Sequence, residues 1–261
     1  MTNRAWDPIV TPWHLDEHLP GFPVPAGATE MAWPSLPAGP VPDRMSLLHR
    51  NVADAVAQVA RPLLLSGDCP TARAAVAGLR HSPRDLAVVW LDAHGDFNTP
   101  AITTSGYLGG MALAMLTGRT PDLFDDALAP VAEAHVILSD ARDLDPAERA
   151  ALTASQVVRV PAEPAALASA VEKLGRMPVY LHLDIDIIDS AQLPGLRFPS
   201  GPGPSLTQIE ECLAAVCSTA DVTGAGIVCA WLPDRVGDRV TRATITRLAG
   251  ALGADLAWSS L

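Results

Sequence analysis

The residues with the clearest chemical potential follow a short apolar segment near the middle of the chain. Asp92, His94 and Asp96 occupy every second position directly after the apolar residues 87–91. In an extended chain, side chains at this spacing point to one side, so the three can converge just past the end of a strand. Carboxylates and imidazoles are common ligands of divalent cations. The stretch is therefore a candidate metal-binding motif.

A second stretch repeats this arrangement. The apolar run that begins at Val179 ends in Asp184 and Asp186, with Asp189 three positions further. If both strands end at the same edge of one sheet, four carboxylates and an imidazole meet there. Such carboxylates repel one another and raise each other's pKa unless cations compensate their charge. We therefore expect a divalent metal site, and the number of candidate ligands indicates two ions.

Composition excludes several other classes of protein. The chain has 261 residues, of which 49% are hydrophobic, so it can bury a large core. A net charge of −11 without a Lys/Arg-rich run argues against nucleic acid or a membrane surface as a partner. Apolar runs stay below the roughly 20 residues of a membrane helix. Because the four cysteines lack CxxC spacing and no signal-peptide pattern is present, we expect a cytoplasmic protein.

The elements that must position the acidic residues alternate between strand and helix patterns. We expect strands over 63–66, 87–92, 134–139, 157–160, 179–184 and 225–232, and helices over 44–60, 70–78, 106–116, 145–154, 164–175, 206–219 and 240–252. This alternation predicts a single-domain, three-layer αβα fold of the α/β class with a mostly parallel sheet. The Pro- and Gly-rich stretch 193–205 is expected to be a loop of a length that commonly carries function.

The first 44 residues differ from the rest in composition. Nine prolines precede Arg44, and Trp6, Trp13, Trp33 and Phe22 lie between them. Prolines at this density disfavour regular structure, whereas the aromatic residues favour packing on a folded surface. We therefore expect a segment 1–44 that packs on a domain formed by 45–261, where it covers a site or a subunit contact.

Three motifs follow one another along the chain: Ser-Gly-Asp-Cys at 66–69, Asp-Ala-His-Gly-Asp at 92–96, and Asp-Ile-Asp-Ile-Ile-Asp at 184–189. In order and spacing they resemble the motifs of the ureohydrolases, the arginase and agmatinase family of enzymes with two manganese ions. The resemblance runs from about residue 63 to the C terminus. It implies an arginase-like fold, two Mn2+ ions and a homo-oligomer. The metal ligands that it implies are Cys69, Asp92, His94, Asp96, Asp184 and Asp186, with Asp92 and Asp184 each bridging both ions.

Further matches to the family concern the substrate. Arginases bind the α-carboxylate of their amino acid through an asparagine and a serine after the Asp-Ala-His motif, and Asn98 and Ser105 stand at the matching positions. Their acids for the α-amino group match Asp143, Asp145 and Glu148. Agmatine has no α-carboxylate. The resemblance therefore favours a small guanidino α-amino acid as the partner of the site.

Three departures from the family pattern bear on the chemistry. Cys69 replaces a histidine ligand, and because a thiolate is softer than an imidazole, zinc or another divalent metal becomes possible beside manganese. Gly109 stands where arginases have a histidine proposed to shuttle protons. Cys229 aligns with the glutamate that pairs with the substrate guanidinium. Without that glutamate, a guanidinium cation would be desolvated without a partner.

An N-hydroxyguanidine accommodates these losses, because it is much less basic than a guanidine and can bind in its neutral form. The leading hypothesis is hydrolysis of N-omega-hydroxy-L-arginine to L-ornithine and hydroxyurea, as in related amidinohydrolases of antibiotic biosynthesis. The alternatives are an arginase, an agmatinase or a formiminoglutamase-type hydrolase of another substrate. A non-catalytic family member that serves as a subunit or regulatory partner also stays open.

The expected mechanism is attack by metal-activated water on the guanidine carbon. Asp96 would take the proton of this water and pass it to the departing amine. His182 lies two residues before Asp184 and points to the same side of the strand. We expect it to orient a ligand carboxylate from behind.

Overall fold

A computed structural model describes residues 5–30, 36–79, 86–124, 129–228, 230–232 and 234–258. The strands are β1 (Asp7–Thr11), β2 (Trp13–His14), β3 (Glu17–His18), β4 (Thr29–Glu30), β5 (Pro62–Ser66), β6 (Ala87–His94), β7 (Val136–Asp143), β8 (Val158–Val160), β9 (Val179–Asp184) and β10 (Val222–Val228). The helices are α1 (Val41–Ala57), α2 (Thr71–Leu79), α3 (Ala112–Leu116), α4 (Pro146–Thr153), α5 (Pro164–Glu172), α6 (Leu206–Thr219) and α7 (Arg239–Ala251).

Eight of these strands form one parallel sheet in the order β4-β1-β5-β10-β9-β6-β7-β8. The two strands that end in acidic residues, β6 and β9, are neighbours. Leu91 lies opposite Leu183 in their register, so Asp92 and Asp184 follow at adjacent positions. The strand β5 is separated from β9 only by β10. The carboxyl ends of β5, β9 and β6 therefore lie close together at one edge of the sheet.

Helices cover both faces of the sheet, which confirms the three-layer αβα prediction. Successive residues of β6 face opposite layers: Val89 and Leu91 pack in the cluster that contains residues of α5, α6 and α7. Val88 and Trp90 pack in the cluster that contains residues of α1, α2 and α3. A strand buried on both faces needs apolar residues throughout, as the continuous apolar run before Asp92 indicates. Each fully buried side chain of this kind contributes about 1.5–3 kcal/mol to folding.

Most of the predicted elements are confirmed, with shifted ends, but the helix expected over 106–116 is partly wrong. Its first residues form no helix; a 3-10 turn covers Gly109–Met111 and α3 follows. Gly106 has a positive φ of 70°, a left-handed conformation that is incompatible with a helix beginning there. None of the helices in the described ranges has the length and apolar character of a membrane span.

The expectation that residues 1–44 lack regular structure is wrong. Strand β1 pairs in parallel with β5 along its whole length, and β4 adds a further strand beside it. Ile9 and Val10 are buried in the two core clusters. The prolines allow this strand because, in the described part of the chain, Ile9 and Val10 are the residues of β1 that pair on both sides, and Pro8, which lacks an N–H, precedes them. The aromatic residues Trp6 and Phe22 pack into the core as expected.

Candidate metal centre

A cavity of about 190 Å³ opens at the carboxyl ends of β5, β6 and β9. Five of the six predicted metal ligands line it: Cys69, His94, Asp96, Asp184 and Asp186. The sixth, Asp92, is buried against them, with ligand atoms of His94 and Asp186 within 4.8 Å of its carboxylate. The topology thus brings residues from three distant parts of the sequence to one place.

The cysteine at the unusual position lies among the carboxylates. Its Sγ is 3.0 Å from Oδ2 of Asp184 and 4.0 Å from Oδ2 of Asp92. The residue stands in the turn between β5 and α2, where its carbonyl accepts a hydrogen bond from Ala72 N. Burial, followed by the negative charge of Asp184, raises the pKa of the Cys69 thiol well above its usual value. Without a cation the sulfur therefore stays protonated and donates to Asp184.

His94 interacts with two of the acids. Its Nδ1 lies 3.0 Å from Oδ2 of Asp186 and 3.5 Å from Oδ1 of Asp92, and its backbone N–H donates to Asp92 Oδ1 at 2.7 Å. Burial alone would lower the pKa of His94, but the contacts with the two carboxylates outweigh it and raise the pKa to about 12. In this state the imidazolium supplies positive charge to an otherwise anionic cluster.

One imidazolium does not compensate four buried carboxylates. Burial and then the charges of neighbouring acids raise the pKa of Asp96 and Asp184 well above the usual value, and that of Asp186 to about 7. Asp92 is the exception, because the hydrogen bonds and charge of His94 lower its pKa in spite of burial. Oδ2 of Asp96 is buried, and among the described residues it has no hydrogen-bond partner. The cluster is therefore short of positive charge.

The backbone aims Asp96 into this cluster. The residue has a positive φ of 49°, a conformation that aspartate tolerates better than most residues. Its carbonyl accepts hydrogen bonds from the N–H groups of Leu113 and Ala114 at the beginning of α3. The chain after β6 is thus fixed by α3 while the carboxylate turns back toward the strand ends.

Of the five residues predicted to bind the amino-acid part of a substrate, four line the same cavity as the acids and one does not. The four are Asn98, Asp143, Asp145 and Glu148. Asn98 Nδ2 lies 3.5 Å from Oδ2 of Asp145, and Glu148, which is buried, accepts a hydrogen bond from Phe97 N at 2.8 Å. Ser105 is exposed and does not belong to the residues that line the cavity; its Oγ accepts a hydrogen bond from Tyr107 N.

His182 lies behind Asp92, stacked on the indole of Trp90 with ring centroids 3.6 Å apart. Its side chain is fully buried, and burial lowers its pKa to about 3, so the ring is neutral. Within the described part of the chain, neither ring nitrogen has a hydrogen-bond partner. The side chain of Trp90 interacts with Asp92 instead: its Nε1 donates a hydrogen bond to Asp92 Oδ2 at 3.0 Å. Sequence reasoning missed Trp90, although it lies two positions before Asp92 on the same face of β6.

The predicted functional loop over 193–205 borders the cavity through Phe198. Arg142 holds this loop: its guanidinium donates to the carbonyl of Ser200 at 2.7 Å and to that of Ile187, just after β9, at 3.0 Å. Asp189 also serves the loop, because its carboxylate accepts the N–H groups of Ala191 and Gly203. Asp189 is therefore a loop residue rather than a member of the acidic cluster.

Two further cavity residues have no counterpart among the predicted site residues. His14 comes from strand β2 and Tyr107 from the segment before the 3-10 turn, and both line the cavity. No motif marks His14, since it lies in the proline-rich segment. In the sequence, Tyr107 is marked only by its position two residues before Gly109. Cys229, predicted to replace a substrate-binding glutamate, lies outside the described residues.

Comparisons with known proteins agree with this geometry. The sequence model of the Arginase family matches residues 25–251. The N(omega)-hydroxy-L-arginine amidinohydrolase of Streptomyces lavendulae is 30% identical over 155 residues, which are 59% of this chain and 55% of that protein. An arginase of Staphylococcus aureus (strain COL) is 30% identical over 165 residues, or 57% of this chain and 53% of that protein. The chain thus spans about half the length of the curated relatives it matches.

Solved structures share the fold over nearly the whole chain. The arginase from Bacillus cereus superposes with a TM-score of 0.81 at 22% identity, covering 95% of this chain and 98% of that one. The proclavaminate amidino hydrolase from Streptomyces clavuligerus gives a TM-score of 0.66 at 20% identity, covering 95% of this chain and 89% of that one. At these identities the similarity shows the fold alone.

Proposed function

This chain belongs to the arginase family, and on that premise we propose that it is an amidinohydrolase that cleaves the guanidine carbon–nitrogen bond of an arginine-like amino acid. The observation that carries the proposal is the convergence of a thiol, an imidazole and four carboxylates on one cavity at the ends of β5, β6 and β9. Paired buried acids of this kind are costly for a fold unless cations occupy them.

The donor set fits two divalent cations. The cluster is anionic, and Oδ2 of Asp96, which has no hydrogen-bond partner among the described residues, offers a further oxygen ligand. The ions would be held by Cys69, Asp92, His94, Asp96, Asp184 and Asp186. Manganese is typical of the family, whereas the Cys69 thiolate would strengthen the binding of softer ions such as zinc. When bound, such cations supply Lewis acidity and a nucleophile from water near neutral pH.

Residues of the chain itself would accept and release the proton of the attacking water. Asp96 lines the cavity, and burial, followed by the charge of Asp92, raises the pKa of its carboxyl group. We assign Asp96 the transfer of a proton from the attacking water to the departing amine nitrogen. Trp90 keeps Asp92 oriented through the indole N–H. His182 packs behind this pair as a neutral ring rather than as a proton carrier.

The amino-acid end of the substrate would lie at Asn98, Asp145 and Glu148. Asn98 and Asp145 are within 3.5 Å of each other, which places an amide donor beside a carboxylate acceptor. This pairing suits an α-carboxylate and an α-ammonium group on one carbon atom. Ser105 would add to the carboxylate contact only from the exposed rim, where its side chain lies.

Two features favour N-omega-hydroxy-L-arginine over plain L-arginine. Position 109 carries no side chain that could protonate a leaving group, which matters less for a weakly basic N-hydroxyguanidine. In addition, the first of the similar proteins named above acts, by its name, on N-hydroxy-L-arginine. The proposed products are L-ornithine and hydroxyurea. Plain L-arginine is the second candidate, supported by the similarity to the staphylococcal arginase.

The test is a comparison of N-omega-hydroxy-L-arginine, L-arginine and agmatine with the manganese-loaded protein, in which L-ornithine or putrescine is measured. The proposal predicts faster release of ornithine from the hydroxylated substrate. Equal or faster turnover of L-arginine would overturn the preference but keep the amidinohydrolase. A lack of product from all three would contradict hydrolysis of an arginine-like amino acid and favour either a hydrolase of another substrate or a non-catalytic family member.

A further inference from the structure

The ring of Tyr107 occupies the space in which a side chain at position 109 would begin. A β-carbon on Gly109 would overlap Cε1, Cζ and the hydroxyl oxygen of Tyr107. Glycine at position 109 therefore has a steric role, because it leaves space for the ring of Tyr107. A histidine at 109 and Tyr107 in this position exclude each other.

The hydroxyl of Tyr107 is held by His14. The Tyr107 oxygen lies 3.0 Å from His14 Nε2, and His14 Nδ1 lies 3.0 Å from the carbonyl oxygen of Gly67. A carbonyl only accepts hydrogen bonds, so Nδ1 of His14 carries a proton and donates it to Gly67. In the tautomer whose single proton is on Nδ1, Nε2 is an acceptor and the phenol donates to it. The lone pairs of the Tyr107 oxygen are left to accept a hydrogen bond from the cavity.

The fold builds this pair rigidly. The hairpin of β2 and β3 packs so closely on the turn after β5 that a β-carbon at Gly67 would overlap the carbonyl of Trp13. Leu15 N donates to the Asp68 carboxylate and fixes the hairpin from its other side. His14 is 3% exposed and stacks on the Tyr107 ring at 5.9 Å, whereas Phe198 packs against that ring at 5.0 Å.

The pair faces the metal-binding end of the cavity. Tyr107 and His14 line it together with Cys69 and Asp96. Burial raises the pKa of Tyr107, and the negative charge of Asp68 raises it further, so the phenol stays neutral. A neutral acceptor suits a neutral amidine and gives no charge compensation to a guanidinium cation.

We infer that the Tyr107 hydroxyl, oriented by His14, accepts a hydrogen bond from the N–OH group of an N-hydroxyguanidine and thereby selects this substrate over a plain guanidine. The inference rests on the proposed function. A hydroxyl donor projects beyond the guanidine nitrogen and forms shorter hydrogen bonds than an N–H group. Tyr107 thus determines specificity from the space beside position 109, where arginases have a histidine proposed to shuttle protons.

The test uses the full-length, manganese-loaded protein and the variant Tyr107→Phe, which removes the hydroxyl but keeps the ring over Gly109. We expect its KM for N-omega-hydroxy-L-arginine to rise about 10-fold, because one hydrogen bond is lost, while its KM for L-arginine changes less than about 3-fold. The matched control is Tyr180→Phe, since the Tyr180 hydroxyl is buried, does not line the cavity and has no hydrogen-bond partner among the described residues. The control should leave both values unchanged.

His14→Asn tests whether the two residues act as a unit. The asparagine amide reaches as far as Nδ1, so it can still donate to Gly67 but no longer accepts from Tyr107. If the two residues do act as a unit, the double variant with His14→Asn and Tyr107→Phe should lose no more of the preference for N-omega-hydroxy-L-arginine over L-arginine than Tyr107→Phe alone. A long-range ¹⁵N NMR spectrum of the wild-type imidazoles should also show His14 protonated on Nδ1, independent of turnover.

The outcomes separate the two proposals. If the wild type hydrolyses the hydroxylated substrate and Tyr107→Phe keeps the same ratio of KM values for the two substrates, the role of Tyr107 is wrong. The proposed function then stands. A His14 ring protonated on Nε2 overturns the role of His14. A wild type that hydrolyses no guanidino amino acid overturns the proposed function, and the substrate selection falls with it.

Discussion

The thiol of Cys69 lies 3.0 Å from a carboxylate oxygen of Asp184, although 115 positions separate the two residues in the chain. The parallel sheet creates this contact, because β5 and β9 end at the same edge with one strand between them. The cysteine therefore stands among the candidate ligands. We therefore expect the thiolate of Cys69 to influence which divalent cation the site prefers.

Cys69→His should shift the metal preference from zinc toward manganese. A thiolate favours zinc over manganese more strongly than an imidazole does, so the ratio of zinc to manganese affinity should fall about 10-fold. Competitive titration of the metal-free protein followed by elemental analysis measures this ratio. Cys217→Ala, on α6 away from the cavity, is the control. An unchanged ratio would argue that the Cys69 sulfur does not bind the ion.

Metal-free protein should lose stability as the pH rises from about 4 to 7. Burial and the charge of Asp92 raise the pKa of Asp186 from 3.8 to about 7, and burial raises that of Asp184 as well. In this window the folded chain binds protons that the unfolded chain has released, so rising pH favours unfolding. The stabilisation from His94, whose pKa is raised, is fully present below 6.5. That from Asp92, whose pKa is lowered, is present above 3.8.

Thermal melts of chelator-treated protein measure this dependence. The Tm should fall by about 5 °C or more across the window. With manganese the trend should reverse, because the cations require deprotonated carboxylates and bind more tightly as the pH rises. A metal-free Tm that rises between pH 4 and 7 would show that the acids are already compensated by the protein.

Trp90→Phe should weaken metal binding without disturbing the stack on His182. The substitution removes the indole N–H that donates to Asp92 at 3.0 Å, so a buried carboxylate loses a hydrogen bond at a cost of about 1–3 kcal/mol. We expect about 10-fold lower metal affinity, measured by calorimetry. In Trp231→Phe, the matched control, the lost N–H is buried and has no hydrogen-bond partner in the described ranges. Equal effects of both substitutions would contradict an orienting role of Trp90.

Gly109→Ala should displace Tyr107 from His14. The new methyl group overlaps the tyrosine ring, which is half-buried and can rotate away, so the stability cost should stay at about 1 kcal/mol. The NMR signals of the His14 imidazole should change as they do in Tyr107→Phe. At Gly110 a β-carbon meets no atom within 4 Å, so Gly110→Ala should leave these signals in place. The idea fails if both alanine variants give wild-type signals.

The acidic strand ends could be predicted from sequence because their signals are local. In both β6 and β9 a buried apolar run stops at an aspartate, and β9 ends at Asp184 as predicted. The bounds of α6 were predicted to the residue, since Ser205 marks its beginning by accepting a hydrogen bond from Gln208 N. The order of strands and helices then dictated a parallel sheet, and with it the meeting of the acids.

The residues that sequence reasoning missed depend on contacts between distant parts of the chain. Tyr107 and His14 are 93 positions apart, and nothing in the composition around His14 marks it as part of a cavity. Strand β1 was missed because a count of prolines describes a whole segment, whereas the five residues Asp7–Thr11 pair with β5 even though Pro8 is one of them. The stacking of His182 on Trp90 likewise results from the pairing of β9 with β6.

The measurement that tests the central claim most directly is the metal content of the purified chain together with its turnover of N-omega-hydroxy-L-arginine. After manganese loading and gel filtration, elemental analysis should give two ions per chain, and chelation should abolish ornithine release until manganese is returned. Asp184→Asn should lose ions and turnover together, because this carboxylate is one of the proposed metal ligands. A chain that holds no divalent ion, or one that releases ornithine equally well without any, would contradict the account.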